Sequence, residues 1–270
     1  MKKIVVISNI INSPAHLIAF AIDTAKEISG ELHGIFINTS IEPDGLNYPF
    51  PNDMASTEIP FSEESIQEEN TELLNAQIKL FKDECLTAGI ACKASFAHTL
   101  EEVLKSSPES DLVITEVDTD YGQFSLKDIL TSAPCPVFVV GTNKPAIKKV
   151  IHAFDGSESS KYAIQKFKDL FAHFCHLPAF LITINLSPLE ILEQKEFIYN
   201  LLPGYFPNLK IVELKGAEKE ELHSFLKQHD SHSLIVMGAF GRSAVSRLFH
   251  PSFANAILGE PGISLFNAHE

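Results

Sequence analysis

Short, nearly continuous apolar runs alternate along the chain with stretches whose apolar residues recur every three or four positions. Lys3–Ser8 is such a run, bounded by the turn formers Asn12, Ser13 and Pro14. Leu17, Ile18, Ala21, Ile22, Ala25 and Ile28 then recur at helical spacing, and Gly30 reads as the stop. His33–Asn38 is a second strand. Residues 41–60, rich in Pro, Asp and Asn, read as a loop. Leu74, Ile78, Phe81 and Cys85 share one face of a long helix, and Ala91–Ala97, Leu112–Glu116 and Pro136–Val140 supply three more strands. The scheme then repeats. Val150–Phe154 is a strand, Tyr162, Ala163, Ile164, Phe167, Leu170 and Phe171 mark a helix, and Phe180–Asn185, Lys210–Leu214, Leu234–Met237 and Ile263–Phe266 are later strands with helices between them.

The repetition extends to residue order. Met1–Asn9 is echoed by Ile147–Asp155, and Asp111–Thr115 by Ser233–Met237. Gly141-Thr142-Asn143-Lys144-Pro145, polar and rich in breakers, reads as a linker. Buried strands separated by helices call for a parallel sheet covered on both faces, because helical crossovers bury both sides. The expected fold class is α/β: two tandem doubly wound domains, residues 1–143 and 147–270, each a five-stranded parallel sheet. The apolar final strand of each repeat would leave an open sheet edge, so the two should join as an internal pseudo-dimer.

Charge and cysteine content narrow the function classes. The 270 residues carry 21 Lys+Arg against 35 Asp+Glu, a formal charge of −14, which argues against nucleic acid or an anionic membrane as a partner. No apolar run approaches the roughly 20 residues needed to cross a bilayer. Polar residues interrupt the apolar start at Ser8 and Asn9, too early for a signal peptide. Cys85, Cys92, Cys135 and Cys175 are scattered without a disulfide framework. The expectation is a soluble cytoplasmic protein. Residues 1–143 alone account for a net −14, whereas Arg242 and Arg247, the protein's two arginines, lie close together near the C-terminus. That is the place to look for a phosphate.

In a doubly wound sheet, ligands sit outside the carboxyl ends of the strands where strand order reverses. Asp155-Gly156-Ser157-Glu158-Ser159-Ser160 and Gly238-Ala239-Phe240-Gly241-Arg242-Ser243 should meet there in the second half. Glycines at such turns let backbone amides approach an anion. In this order and spacing, the two segments resemble the universal stress protein family. The resemblance covers residues 147–258 and, more weakly, the first half. It implies a five-stranded parallel sheet, tandem or dimeric assembly through the last strand, a role in stress response and, in some members, ATP binding. The resemblance assigns a nucleotide to Asp155, Gly156, Gly238, Gly241, Arg242 and Ser252, with Asp155 at the nucleoside.

Departures from the family pattern matter as much. ATP-binding members carry Gly, two residues, Gly, nine residues, then Gly with Ser or Thr. Here Gly238 and Gly241 match and Ser252 keeps the hydroxyl, but Pro251 replaces the closing glycine. Proline lacks the N–H and fixes φ near −65°. In the first half Asn9 replaces the aspartate, Ile10-Ile11 replace Gly156-Ser157, and Glu116, Asp118 and Asp120 put carboxylates where phosphates would lie. That site should bind no nucleotide.

Other constellations are weaker. His173, Cys175 and His176 offer three zinc-type ligands, but a helix terminus with dipole-favoured histidines accounts for them better. Glu116, Asp118 and Asp120 read as a solvated acidic loop in preference to a magnesium or calcium site, so no metal is expected. With no nucleophile–base pair at interpretable spacing, the reading is a regulatory protein without catalytic residues, acting through an unidentified protein partner. A pure interaction scaffold is the alternative, a nucleotide-handling hydrolase or transferase a weaker one. A further homodimer stays open.

Overall fold

A computed structural model describes residues 1–9, 15–37, 63–105, 109–117, 121–141, 146–184, 188–214, 224–226, 232–238 and 262–269. The first half runs β1 (Lys2–Asn9), α1 (Ala15–Glu27), β2 (Gly30–Ile37), α2 (Glu63–Ala88), β3 (Cys92–Ala97), α3 (Leu100–Lys105), β4 (Leu112–Glu116), α4 (Leu126–Ser132) and β5 (Val137–Val140). The second runs β6 (Lys149–Phe154), α5 (Glu158–Leu170), β7 (Ala179–Ile184), α6 (Pro188–Glu193), a π-helical turn (Glu196–Leu201), α7 (Leu202–Tyr205), β8 (Leu209–Leu214), β9 (Ser233–Gly238) and β10 (Ser264–Ala268). Strand order is β3-β2-β1-β4-β5-β10-β9-β6-β7-β8, so each half repeats one order and the two face each other. The two five-stranded sheets are not separate but form one continuous sheet.

Two-sided burial explains the unbroken apolar runs. Ile4 and Val6 of β1 point into a core covered by α1, α2 and α5, while Val5 and Ile7 point into a second core under α3 and α4. Sequence periodicity misses α3 and α4 because six and seven residues give too few turns to show a period. α4 is fixed locally instead, by a capping box in which Ser125 and Asp128 each satisfy the other's backbone N–H.

Two local expectations need correction. Gly30 does not stop α1: Ser29 adopts the left-handed conformation at φ 55°, and Gly30 is the first residue of β2. A Cβ at Gly30 would come within 2.8 Å of Ile4 Cδ1, so this glycine serves strand packing. His173–His176 is not on a helix but on a 3₁₀ turn, Ala172–Phe174, and the turn after it.

All strand pairs among the described residues are parallel except β5 with β10, the seam between halves. Its register places Phe138 opposite Phe266 and Val139 opposite Leu265. Both phenylalanines are fully buried. The Phe138 ring lies 4.6 Å from Phe20 of α1 and 5.4 Å from Phe171, while Phe266 packs 5.5 Å from Phe167 of α5. On the opposite face Asn267 Nδ2 donates to the Leu130 carbonyl of α4 at 3.2 Å.

One core residue breaks the apolar pattern. His152 on β6 occupies the position of Val6 in the first half, is fully buried, and lies 4.4 Å from the Phe206 ring and 5.8 Å from Phe167. Neither ring nitrogen has a hydrogen-bond partner among the described residues. Burial pushes the imidazole down to about 3, so the folded protein holds it neutral.

Phe138→Ala should cost about 3–5 kcal/mol, the range for emptying a large aromatic site, read as a lower urea midpoint with unchanged slope. Acidification provides a second test. The unfolded chain takes up a proton at His152 as pH falls through about 6.5, while the folded chain does so only near 3. Stability should therefore decline below about pH 6.5, by about 1.4 kcal/mol per pH unit from this residue. His152→Leu should remove this residue's share of the slope in urea titrations, and nearly all of the histidine slope between about pH 4 and pH 3. The half-buried His33, pushed down to about 4 by burial and Lys93, keeps an equal share above about pH 4, and His16 and His173, also lowered by burial, add to it.

Candidate functional site

Strand order reverses between β6 and β9 in the second half, and between β1 and β4 in the first. Ligands of doubly wound sheets bind in the crevices outside the carboxyl ends of such strand pairs. β6 ends at Phe154, and Asp155 turns the chain. Its Oδ1 accepts the Ser157 N–H at 3.0 Å and the Ser157 hydroxyl at 2.6 Å. Gly156 sits at φ 80°, a conformation side chains resist. Ser157 then caps α5, its Oγ accepting the Ser160 N–H at 3.1 Å, while Ser160 Oγ donates to the Ser157 carbonyl at 2.8 Å.

The end of β9 presses against this turn. A Cβ on Gly238 would stand 2.5 Å from both the Ser159 carbonyl carbon and the Ser160 nitrogen, so only glycine fits. Gly238 is therefore more than a turn former. It lets the strand end meet the first turn of α5, bringing together Asp155, Gly156 and Gly238, three of the residues singled out from the sequence. Both hydrogen bonds to Asp155 fall on Oδ1, and the carboxylate stands half-buried at the positive end of a thirteen-residue helix. Gly241, Arg242, Arg247, Pro251 and Ser252 lie outside the described residues.

The equivalent crevice of the first half is built differently. Glu116, nearly buried, ends β4 where Gly238 ends β9, and Asn9 is buried at the end of β1. Thr115 Oγ1 donates to the Ile7 carbonyl at 3.2 Å and shares a short hydrogen bond with the Tyr121 hydroxyl. Tyr121 is 1% exposed and stacks on Phe124 with centroids 5.1 Å apart and planes 7° from parallel. The chain's own phenol ring thus packs in the core beside Thr115, one residue before the end of β4. Sequence reasoning points to the carboxylates and passes over Tyr121, whose one signal is Thr115 standing where the second half has Met237. Asp118 and Asp120 lie outside the described residues.

Among the described residues no group of three His, Cys, Asp or Glu side chains gathers as a metal site. The Cys175 thiol is buried and points at the Phe171 carbonyl, 3.9 Å away, and the His173 ring packs 4.0 Å from Phe174.

Gly238→Ala should destabilise the protein by about 1–3 kcal/mol in urea unfolding, since neither facing atom belongs to a movable side chain. Gly204→Ala is the control. A Cβ there meets nothing within 4 Å, so the change should be neutral or mildly stabilising.

No protein-family profile matches the chain, and no curated protein does. Solved structures do. A universal stress protein from Archaeoglobus fulgidus DSM 4304 superposes with a TM-score of 0.60 at 12% identity, covering 99% of this chain and 96% of that one. A provisionally assigned universal stress protein from Pseudomonas aeruginosa UCBPP-PA14 gives 0.61 at 16% identity, covering 100% and 93%. A functionally unknown protein from Pseudomonas aeruginosa PAO1 gives 0.53 at 15%, covering 100% and 92%. Across nearly its whole length, the chain has the fold of the universal stress proteins.

Proposed function

We propose that the chain is a regulatory protein of the universal stress type, and that its second half binds ATP or a related nucleotide in the crevice between β6 and β9. The supporting observation is the contact of Gly238 with the first turn of α5, beside the Asp155–Gly156 turn. A helix N-terminus and a half-buried carboxylate stand together there, a combination suited to phosphates and ribose hydroxyls. Asp155 would accept from the nucleoside. Gly238 and Gly241, with Arg242 and Ser252, would surround the phosphates. The first half would contribute no site, because the nearly buried Glu116 ends β4 where Gly238 ends β9 and would repel an anion.

Pro251 favours a second reading, an interaction scaffold that binds no nucleotide, since proline withholds a donor where binding members have glycine.

Calorimetric titration of ATP into three proteins separates the two. The wild type should bind one nucleotide per chain, and Gly241→Asp should abolish binding by adding bulk and like charge. Pro251→Gly should tighten it roughly ten- to a hundredfold, the worth of about 1.5–3 kcal/mol for one regained hydrogen bond to a charged group. Two equivalent sites would overturn the assignment to the second half. No binding to the wild type or to Pro251→Gly would leave the scaffold.

A further inference from the structure

The last turn of α2 carries Cys85, fully buried beside Phe81 in the core. The chain reverses through Gly89 at φ 72°, with the Gly89 N–H bonded to the Leu86 carbonyl at 3.1 Å and the Ile90 N–H to the Cys85 carbonyl at 2.9 Å. β3 starts two residues later at Cys92, in register with Leu32. Cys92 packs against the same core that holds Cys85, so the tight turn brings the two thiols to one side of the sheet, close enough for the Cys92 sulfur to act on the Cys85 thiol. Both are free thiols. They differ in access: Cys85 is sealed, whereas Cys92 is only half-buried on the outermost strand of the sheet.

We propose that Cys85 and Cys92 form a reversible dithiol–disulfide pair, oxidised by hydroperoxides, which clasps α2 to the edge strand β3. The order of steps follows from access. Cys92, as the thiolate, attacks one peroxide oxygen; the S–O bond forms, the O–O bond breaks, and the departing oxygen leaves as water or alcohol after taking a proton. The Cys92 sulfenic acid is now in contact with Cys85. The Cys85 sulfur gives up its proton and attacks the Cys92 sulfur; the S–S bond forms, the S–O bond breaks, and the hydroxyl leaves with that proton as water. Two thiols lose two electrons in all, and the peroxide gains them. Burial, and then the Cys92 sulfur, push the Cys85 thiol up to about 12, so it stays protonated until the second step. Cys135 and Cys175 are also buried, but neither has a cysteine against it, and they serve as internal controls.

The full-length protein, treated with hydrogen peroxide and then denatured, provides the test. Titratable thiols should fall from four to two, and dithiothreitol should restore all four. The mass should drop by about 2 Da, and a non-reducing peptide map should join the Cys85 and Cys92 peptides. Cys92→Ser should lose no thiol under the same dose. Cys85→Ser should form a sulfenic acid on Cys92 that dimedone traps. Four persistent thiols, or a disulfide through Cys135, Cys175 or a second chain, would overturn the proposal. This outcome is independent of whether nucleotide binds.

Discussion

The antiparallel pairing of β5 with β10 is the constraint on which the rest depends. Each half ends in a short, fully buried apolar strand, which alone would be an unpaired sheet edge. Joining them buries Phe138 against Phe266, and the aromatic cluster around that pair draws in α1 from one half and α5 from the other. Neither helix can shift without disturbing rings supplied by both halves. A Cβ on Gly141, just after β5, would come within 2.4 Å of the Ile263 carbonyl oxygen, so the chain leaves the seam as tightly as it enters it.

That symmetry of strand order makes the difference between the two crevices informative. The strands reverse at equivalent places, yet β9 ends in a glycine packed on helix backbone and β4 ends in a nearly buried glutamate. A side chain at the end of β4 excludes the close approach seen between β9 and α5. Accordingly α5 packs over β9 and β10, whereas α1 packs over β1 and β2. The first half makes use of the space with Tyr121, held by Thr115 and stacked on Phe124. One scaffold thus ends its central strands in two ways: a glycine packed on helix backbone in the second half, and a nearly buried glutamate beside a buried tyrosine in the first.

Legibility in the sequence followed physical scale. The strands are readable because burial on both faces leaves unbroken apolar runs, and α1, α2 and α5 because their apolar stripes extend over several turns. Asp155, Gly156 and Gly238 are readable because turn chemistry is local. What sequence hides is anything set by tertiary contact. Ser29 takes a left-handed conformation that glycine would predict. His152 sits in a strand pattern that gives no hint of its stranded nitrogens. Tyr121 belongs to no period at all. The reason Gly238 must be glycine is equally invisible, since it lies in the backbone of a helix some eighty positions earlier.

Closing the inner edges leaves two outer ones, β3 and β8, at the ends of a ten-stranded sheet. Both are managed with polar residues: Lys93 and Ser95 on β3, Lys210 and Glu213 on β8, interleaved with the partly exposed Phe96 and Ile211. Charge on an edge strand disfavours pairing with another sheet. The edges also differ in what backs them. β3 is held by the 26-residue helix α2 through the turn that brings Cys85 against Cys92, whereas β8 follows the shorter, π-interrupted run of Pro188–Tyr205. The last turn of α2 is tied to the start of the turn by the Ile90 N–H to Cys85 carbonyl and Gly89 N–H to Leu86 carbonyl hydrogen bonds, which sets where Cys85 stands relative to β3. The proposed dithiol therefore stands at the edge that the long, uninterrupted helix backs, where one hydrogen-bonded turn links helix to strand.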